Sequence, residues 1–191
     1  MTMKSVTTDM LYAMEQTYSE SKIQHTCVKW FSDTHADIAQ LMFAVANGGA
    51  RTMKAGAICK YEGQLKGVAD LLLLKGNGDY ICLAIEMKTP KAKGKSAGAQ
   101  KPEQKEWQTV IQGHGSKYVV CHGLVEFVTE VSDYLGEKVL TNIDEALQRY
   151  EEWLAPFPSS GTPAYKKAIS KKADKENDEH NKQLLAGIIG Q

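Results

Sequence analysis

Asp70, Glu86 and Lys88 are the residues whose types and spacing carry chemistry. The stretch that holds them, GVADLLLLKGNGDYICLAIEMK from Gly67 to Lys88, reads as two apolar, β-rich runs, Val68 to Leu74 and Tyr80 to Met87. Between them lies Lys75-Gly76-Asn77-Gly78-Asp79, whose glycines supply the positive φ that a hairpin turn needs. An antiparallel pair brings its open ends together, so Asp70 at the start of the first run meets Glu86 and Lys88 at the end of the second. Side chains two apart on a strand share a face, which puts Glu86 and Lys88 together and Met87 opposite. Two carboxylates and a lysine thus converge at one edge of an apolar sheet.

Clustered carboxylates repel, and burial beside apolar strands raises their pKa, so the arrangement is costly unless positive charge sits between them. A divalent cation resolves the conflict. Hard oxygen ligands with waters left in the shell suit Mg²⁺, which neutralises charge on a phosphate and lowers the pKa of a bound water. Lys88 would orient the attacking water or stabilise the developing charge. A solvated strand end accounts for the bare triplet equally cheaply, so the surrounding elements have to decide.

Ahead of the hairpin, Thr7 to Tyr18 is compatible with a short helix, and Ser19 caps a clearer one with Ile23, Cys27, Trp30 and Phe31 as its buried stripe. Glu20 and Gln24, four apart, share a face of that helix, either as a solvated flank or as part of a site. Ile38 to Ala46 reads as an apolar strand running into Asn47-Gly48-Gly49-Ala50-Arg51. That loop is a plain turn, or one whose N–H groups and Arg51 meet a phosphate. Ala55 to Gly63 is helical or irregular.

After the hairpin, six lysines (Lys88, Lys91, Lys93, Lys95, Lys101, Lys105) stand in a stretch whose acid is Glu103, and Lys91 to Lys101 is rich in Gly, Ala and Ser. It reads as a loop that either solubilises the chain or contacts phosphates. Pro102 opens a helix with Glu103, Gln104, Trp107, Val110 and Ile111, ended by Gly113 and Gly115; the spacing makes Trp107 a core anchor. A strand over Tyr118 to Cys121 and an amphipathic helix over Leu124 to Leu135 follow. This order predicts an α/β domain with a mixed sheet covered by helices. Asn142 to Leu154 repeats at helical spacing and would pack on the domain or on a second subunit, and the Lys-, Asp- and Glu-dense Tyr165 to His180 predicts a mobile tail or an exposed helix.

At 191 residues the chain is long enough to bury a core without disulfides. Its net charge of +0 offers no whole-protein field for a polyanion, so any nucleic-acid contact must be local. The widely separated Cys27, Cys59, Cys82 and Cys121 predict reduced thiols. Neither His25 with Cys27 nor Cys121 with His122 has a second pair at zinc-finger spacing. Without a membrane-length apolar run or a secretory pattern in Met1 to Thr8, the sequence predicts a cytoplasmic protein.

Asp70 followed by Glu86-x-Lys88 resembles the signature of the PD-(D/E)xK nuclease superfamily, with Ala69 where that pattern has proline. The segments SESKIQHTCVKWF, LMFAVANGGAR, GVADLLL, LAIEMKTPKAKGKSAGAQKPEQKEW and YVVCHG, in this order and spacing, resemble the VRR-NUC family within it. The resemblance covers about residues 19–135 and implies a restriction-endonuclease-like fold, an α/β mixed sheet flanked by helices. Carried over, it makes Asp70 and Glu86 metal carboxylates, with the Met87 carbonyl as a further ligand and Glu20 the helix acid that completes the site. Lys88 becomes the catalytic lysine and Gln104 the glutamine supporting it or the water. Gln24, Asn47, Gly48, Arg51, Lys91, Lys93 and Lys95 are the candidate DNA contacts.

The implied activity is Mg²⁺- or Mn²⁺-dependent DNA endonuclease action, structure-selective for branched DNA such as Holliday junctions, by a homodimer. The alternatives are a catalytically silent module that binds DNA structures, or a nuclease without structure selectivity. Residues 1–18 would be an N-terminal segment, 19–135 the nuclease domain, 136–158 a helical extension and 159–191 a charged tail. The added segment Ala97 to Lys101 departs from the family pattern and bears on how the lysine loop reaches DNA.

Overall fold

The computed structural model describes residues 6–45, 58–59, 61–91 and 98–154. Its helices are α1 (Thr8–Glu15), α2 (Glu20–Thr34), α3 (Pro102–Gly113), α4 (Leu124–Leu135) and α5 (Val139–Leu154). Its strands are β1 (Met42–Ala44), β2 (Leu71–Leu73), β3 (Leu83–Met87) and β4 (Lys117–Cys121). They form a mixed sheet in the order β1-β2-β3-β4, antiparallel between the first three and parallel between β3 and β4. A parallel pair needs a crossover, and α3 supplies it.

Alternation along the strands sorts the sheet into two faces. Leu71, Leu73, Leu83, Ile85, Met87 and Cys121 enter the main core, where they meet Ile23, Trp30 and Phe31 of α2, Phe127 and Val131 of α4, and Tyr150 and Trp153 of α5. The opposite face carries a smaller cluster of Ala69, Ala84 and Tyr118, covered by the half-buried Trp107 and Ile111 of α3. With both faces covered, every residue of β3 is buried, Glu86 included. The fold is an α/β mixed sheet flanked by helices, as the sequence predicts.

Both helix starts follow their sequence signals. The Ser19 hydroxyl accepts the Lys22 N–H at 3.2 Å, and Pro102 occupies the first turn of α3. The strands are shorter than predicted; past their ends the chain turns on the Asn77 side chain, and single bonds continue the pairing with the neighbouring strands. The Asn77 side chain takes the N–H groups of Asp79 and Tyr80 at 3.1 and 2.9 Å, Leu74 N–H goes to the Leu41 carbonyl and Ile81 N–H to the Gly115 carbonyl. In the turn only Gly78 has a positive φ, of 99°; Gly76 instead permits close approach, since a Cβ there would stand 3.2 Å from the Tyr80 carbonyl oxygen. The run predicted as a strand from Ile38 begins as a 3₁₀ turn, Ala39–Leu41, and extends only over Met42–Ala44.

The last helix packs on the domain itself. Trp153 Nε1–H donates to Asp33 Oδ2 of α2 at 2.9 Å, and Tyr150 is fully buried. All four cysteines are free thiols, Cys27 and Cys121 buried and the other two partly exposed. Among the described residues no helix is long and apolar enough to cross a membrane.

Candidate active site

The open end of the β2–β3 hairpin is where the sequence places its chemistry. The register Leu71↔Ile85, continued one residue outward, sets Asp70 opposite Glu86 on the α3 face of the sheet. Asp70 Oδ2 accepts the Met87 N–H at 2.9 Å, which ties this carboxylate to the end of β3. Glu86 has no exposed surface. Its Oε1 receives both the Lys88 ammonium and the Gln104 side-chain amide, and its Oε2 receives the Tyr118 hydroxyl at 3.3 Å. Lys88 Nζ also donates to the Met87 carbonyl at 3.1 Å, so the Met87 side chain lies in the main core while its backbone faces the site.

Gln104 reaches Glu86 because of where α3 begins. Its Oε1 accepts the Lys101 N–H at 2.7 Å, which fixes the amide and directs Nε2 at Glu86. Glu20 arrives from the other side as the first residue of α2, where a carboxylate favours the helix macrodipole. Burial raises the Glu20 pKa; Lys88 opposes the rise, Asp70 adds to it and Lys101 opposes it. Burial also raises the Glu86 carboxyl, against the Lys88 hydrogen bond and with the Asp70 charge adding to it. Tyr118 is pushed up first by burial and then by the Glu86 charge.

Glu20, Asp70, Glu86, Lys88 and Gln104 line one cavity of about 700 Å³. Lys66, Gly67, Val68, Gly98, Ala99, Lys101 and Glu103 complete its wall. Two other sequence candidates, Gln24 and Lys91, do not line it. Gln24 borders a separate recess of about 290 Å³ with Ser21, His25 and Val28. Lys91 is exposed and offers its carbonyl to Gln16 Nε2 at 2.6 Å. Asn47, Gly48, Arg51, Lys93 and Lys95 lie outside the described residues.

Tyr118, Lys66 and Lys101 belong to this neighbourhood and were missed as site residues by the sequence reading. The signal for Tyr118 is the parallel register Ala84↔Tyr118, which puts it on the Glu86 face, and that pairing requires knowing which strand neighbours β3. Gly67 stands just ahead of the run predicted from Val68, with no role assigned to it from the sequence. Its φ is +77°, and a side chain there would collide with the Glu103 carbonyl and stand 2.9 Å from Gln104 N, so it lets the chain pass beneath the first turn of α3.

Among the described residues no three His, Cys, Asp or Glu side chains form a ready-made metal cage. The donors that line the cavity, carboxylates of Glu20, Asp70 and Glu86, are nevertheless hard oxygens. Asp70 raises the pKa of both glutamates, a surplus of negative charge that a divalent cation neutralises. The residues fit such an ion.

A family model of the VRR-NUC domain matches residues 9–124, more than half of the 191-residue chain. The chain belongs to the VRR-NUC family. A solved structure described as a VRR_NUC domain protein resembles it at a TM-score of 0.51 and 20% sequence identity, covering 62% of this chain and 89% of that one. That likeness shows the fold. No curated protein matches the sequence. The family is one of nucleases, in general metal-dependent, which implies DNA as the binding partner. The matched span runs from α1 to the first residue of α4, so the cavity lies within the VRR-NUC domain and α5 lies beyond it.

Proposed function

We propose that this protein is a metal-dependent DNA endonuclease, with Glu20, Asp70, Glu86, Lys88 and Gln104 as its catalytic residues. The observation that carries the reading is that these five side chains, drawn from four separate stretches of chain, line a single cavity. Glu20, Asp70 and Glu86, with the Met87 carbonyl, would hold Mg²⁺ or Mn²⁺; when bound, the ion neutralises phosphate charge and makes water a better nucleophile. Hydrolysis adds water across one P–O bond and delivers a proton to the leaving oxygen.

The chain's own residues contribute positioning and charge. Lys88 Nζ, held between the Glu86 carboxylate and the Met87 carbonyl, sets a cation beside the site where negative charge grows on the phosphate. Gln104 holds Glu86 in register with Lys88. Lys66 and Lys101 at the cavity wall, with Lys91, Lys93, Lys95, Arg51, Gln24 and the Asn47-Gly48 backbone, supply contacts to the DNA backbone.

The finer reading is that the enzyme acts on branched DNA, four-way junctions included, as a homodimer whose two sites address symmetric strands. It rests on the resemblance of the whole motif set to the VRR-NUC family. The test is cleavage of matched four-way-junction and linear-duplex DNA in Mg²⁺ or Mn²⁺, with the mass in solution measured alongside. Preferential junction cutting by a dimer is expected. A monomer that cuts both substrates equally overturns the structure-selective reading, and junction binding without cutting in either metal favours a silent binding module.

A further inference from the structure

Glu86 is held from two sides, and only one of them was visible in the sequence. Lys88 and Gln104 share Oε1, while the Tyr118 hydroxyl addresses Oε2 at 3.3 Å. Behind Tyr118 the hydrogen bonds run in one direction. Gln100 Nε2 donates to the Tyr118 hydroxyl oxygen at 3.2 Å and to Gln108 Oε1 at 2.9 Å. A phenol has one proton and can also accept; with an amide N–H received from Gln100, its own proton is left to point at Glu86. Tyr118 is only 5% exposed, so water is poorly placed to substitute for it. An O–H···O⁻ bond is ordinarily nearer 2.6 Å, so a contact of 3.3 Å steers Oε2 without saturating it.

Gln100 is itself well placed to be held. The segment that returns the chain to α3 is pinned at Gly98, whose N–H donates to the Thr89 carbonyl at 3.3 Å and whose carbonyl meets His122 Nε2 at 3.2 Å. It is pinned again at Lys101, through the Gln104 side chain. This is the segment that departs from the family pattern.

We propose that Tyr118 and Gln100 are positioning residues which orient Glu86 Oε2, the oxygen that Lys88 and Gln104 leave open, toward the divalent cation of the proposed reaction. The inference rests on Glu86 being a ligand of that cation. Partners that orient a ligating carboxylate are typically worth about 10–100-fold in metal affinity or activity. Tyr118→Phe removes the hydroxyl alone and keeps the ring that packs edge-on against Trp107 at a centroid distance of 6.0 Å.

The experiment is calorimetric titration of Mn²⁺ alone into the full chain, for the wild type, Tyr118→Phe, Gln100→Ala and Glu86→Ala, with thermal unfolding of each. Tyr118→Phe and Gln100→Ala are expected to weaken Mn²⁺ binding by about 10-fold or more, at an unfolding temperature close to that of the wild type, while Glu86→Ala abolishes it. Wild-type affinity in Tyr118→Phe, with Glu86→Ala inactive in binding, overturns the positioning role and leaves the Glu86 reading standing. Equal binding by wild type and Glu86→Ala, or none by either, overturns the Glu86 reading and this inference with it. Should Tyr118→Phe fail to fold, Gln100→Ala, at a half-buried position, decides alone.

Discussion

Lys88 bonds both to a carboxylate two residues back and to the carbonyl of its neighbour, and this pair of contacts holds a buried cation in place beside the buried Glu86 carboxylate. The spacing Glu-x-Lys was legible because a strand repeats every two residues. Asp70 was legible because a hairpin returns to its start. Tyr118 was not, since its role depends on a parallel neighbour whose identity no local pattern states. A second buried acid also escaped the reading. Glu15, at the end of α1, is 2% exposed and accepts the Leu124 N–H at 3.0 Å, capping the start of α4. Burial pushes its carboxyl from an ordinary 4.5 up to about 7, against the Leu124 hydrogen bond and with the Glu126 charge adding to the rise. A carboxyl whose folded pKa is raised contributes stability that is complete below pH 4.5 and lost as pH climbs through 7. The difference corresponds to about 3 kcal/mol. Stability measured by urea unfolding should therefore fall less between pH 4.5 and pH 8 in Glu15→Gln than in the wild type. Identical slopes would remove Glu15 as a source of that pH dependence.

At the scale of elements, the site depends on the approach of the hairpin to the first turn of α3. Ser19 and Pro102 announced their helices because capping and first-turn chemistry are local. The strand ends were not announced, because the Asn77 side chain takes the N–H groups of Asp79 and Tyr80, which an apolar run alone would assign to the ladder. Gly67 shows the same limit. Its positive φ and its contact with the Glu103 carbonyl follow from packing, which sequence spacing does not contain. Gly67→Ala should cost about 2 kcal/mol or more, and by displacing the start of α3 it should move Gln104 away from Glu86. Urea unfolding checks the first effect and DNA cleavage the second. A variant with wild-type stability and cleavage would show that this approach does not hold the site together.

At the largest scale, the described residues form a VRR-NUC domain on which α5, beyond the span matched by the family model, closes the main core. The helical spacing of Asn142 to Leu154 showed that α5 would bury a face, while its partner, Asp33 and the α2–α4 side of the core, was a matter of tertiary packing. The family and the α/β architecture were legible because several motifs recur together in order. The contacts with DNA were less so: of the DNA-contact residues that the sequence suggested, Gln24 and Lys91 fall within the described structure and do not line the cavity, whereas Lys66 and Lys101, which do, were not among them. The central claim is that the cavity of Asp70, Glu86 and Lys88 hydrolyses DNA with a divalent cation. The most direct measurement is cleavage of labelled DNA by wild type, Asp70→Ala and Lys88→Ala, in Mg²⁺ or Mn²⁺ and again with chelator. The wild type is expected to cut DNA in a way that chelator abolishes, and each variant to lose about 100-fold or more with folding and DNA binding retained. Cutting that survives chelation, or an Asp70→Ala protein as active as the wild type, would contradict that claim.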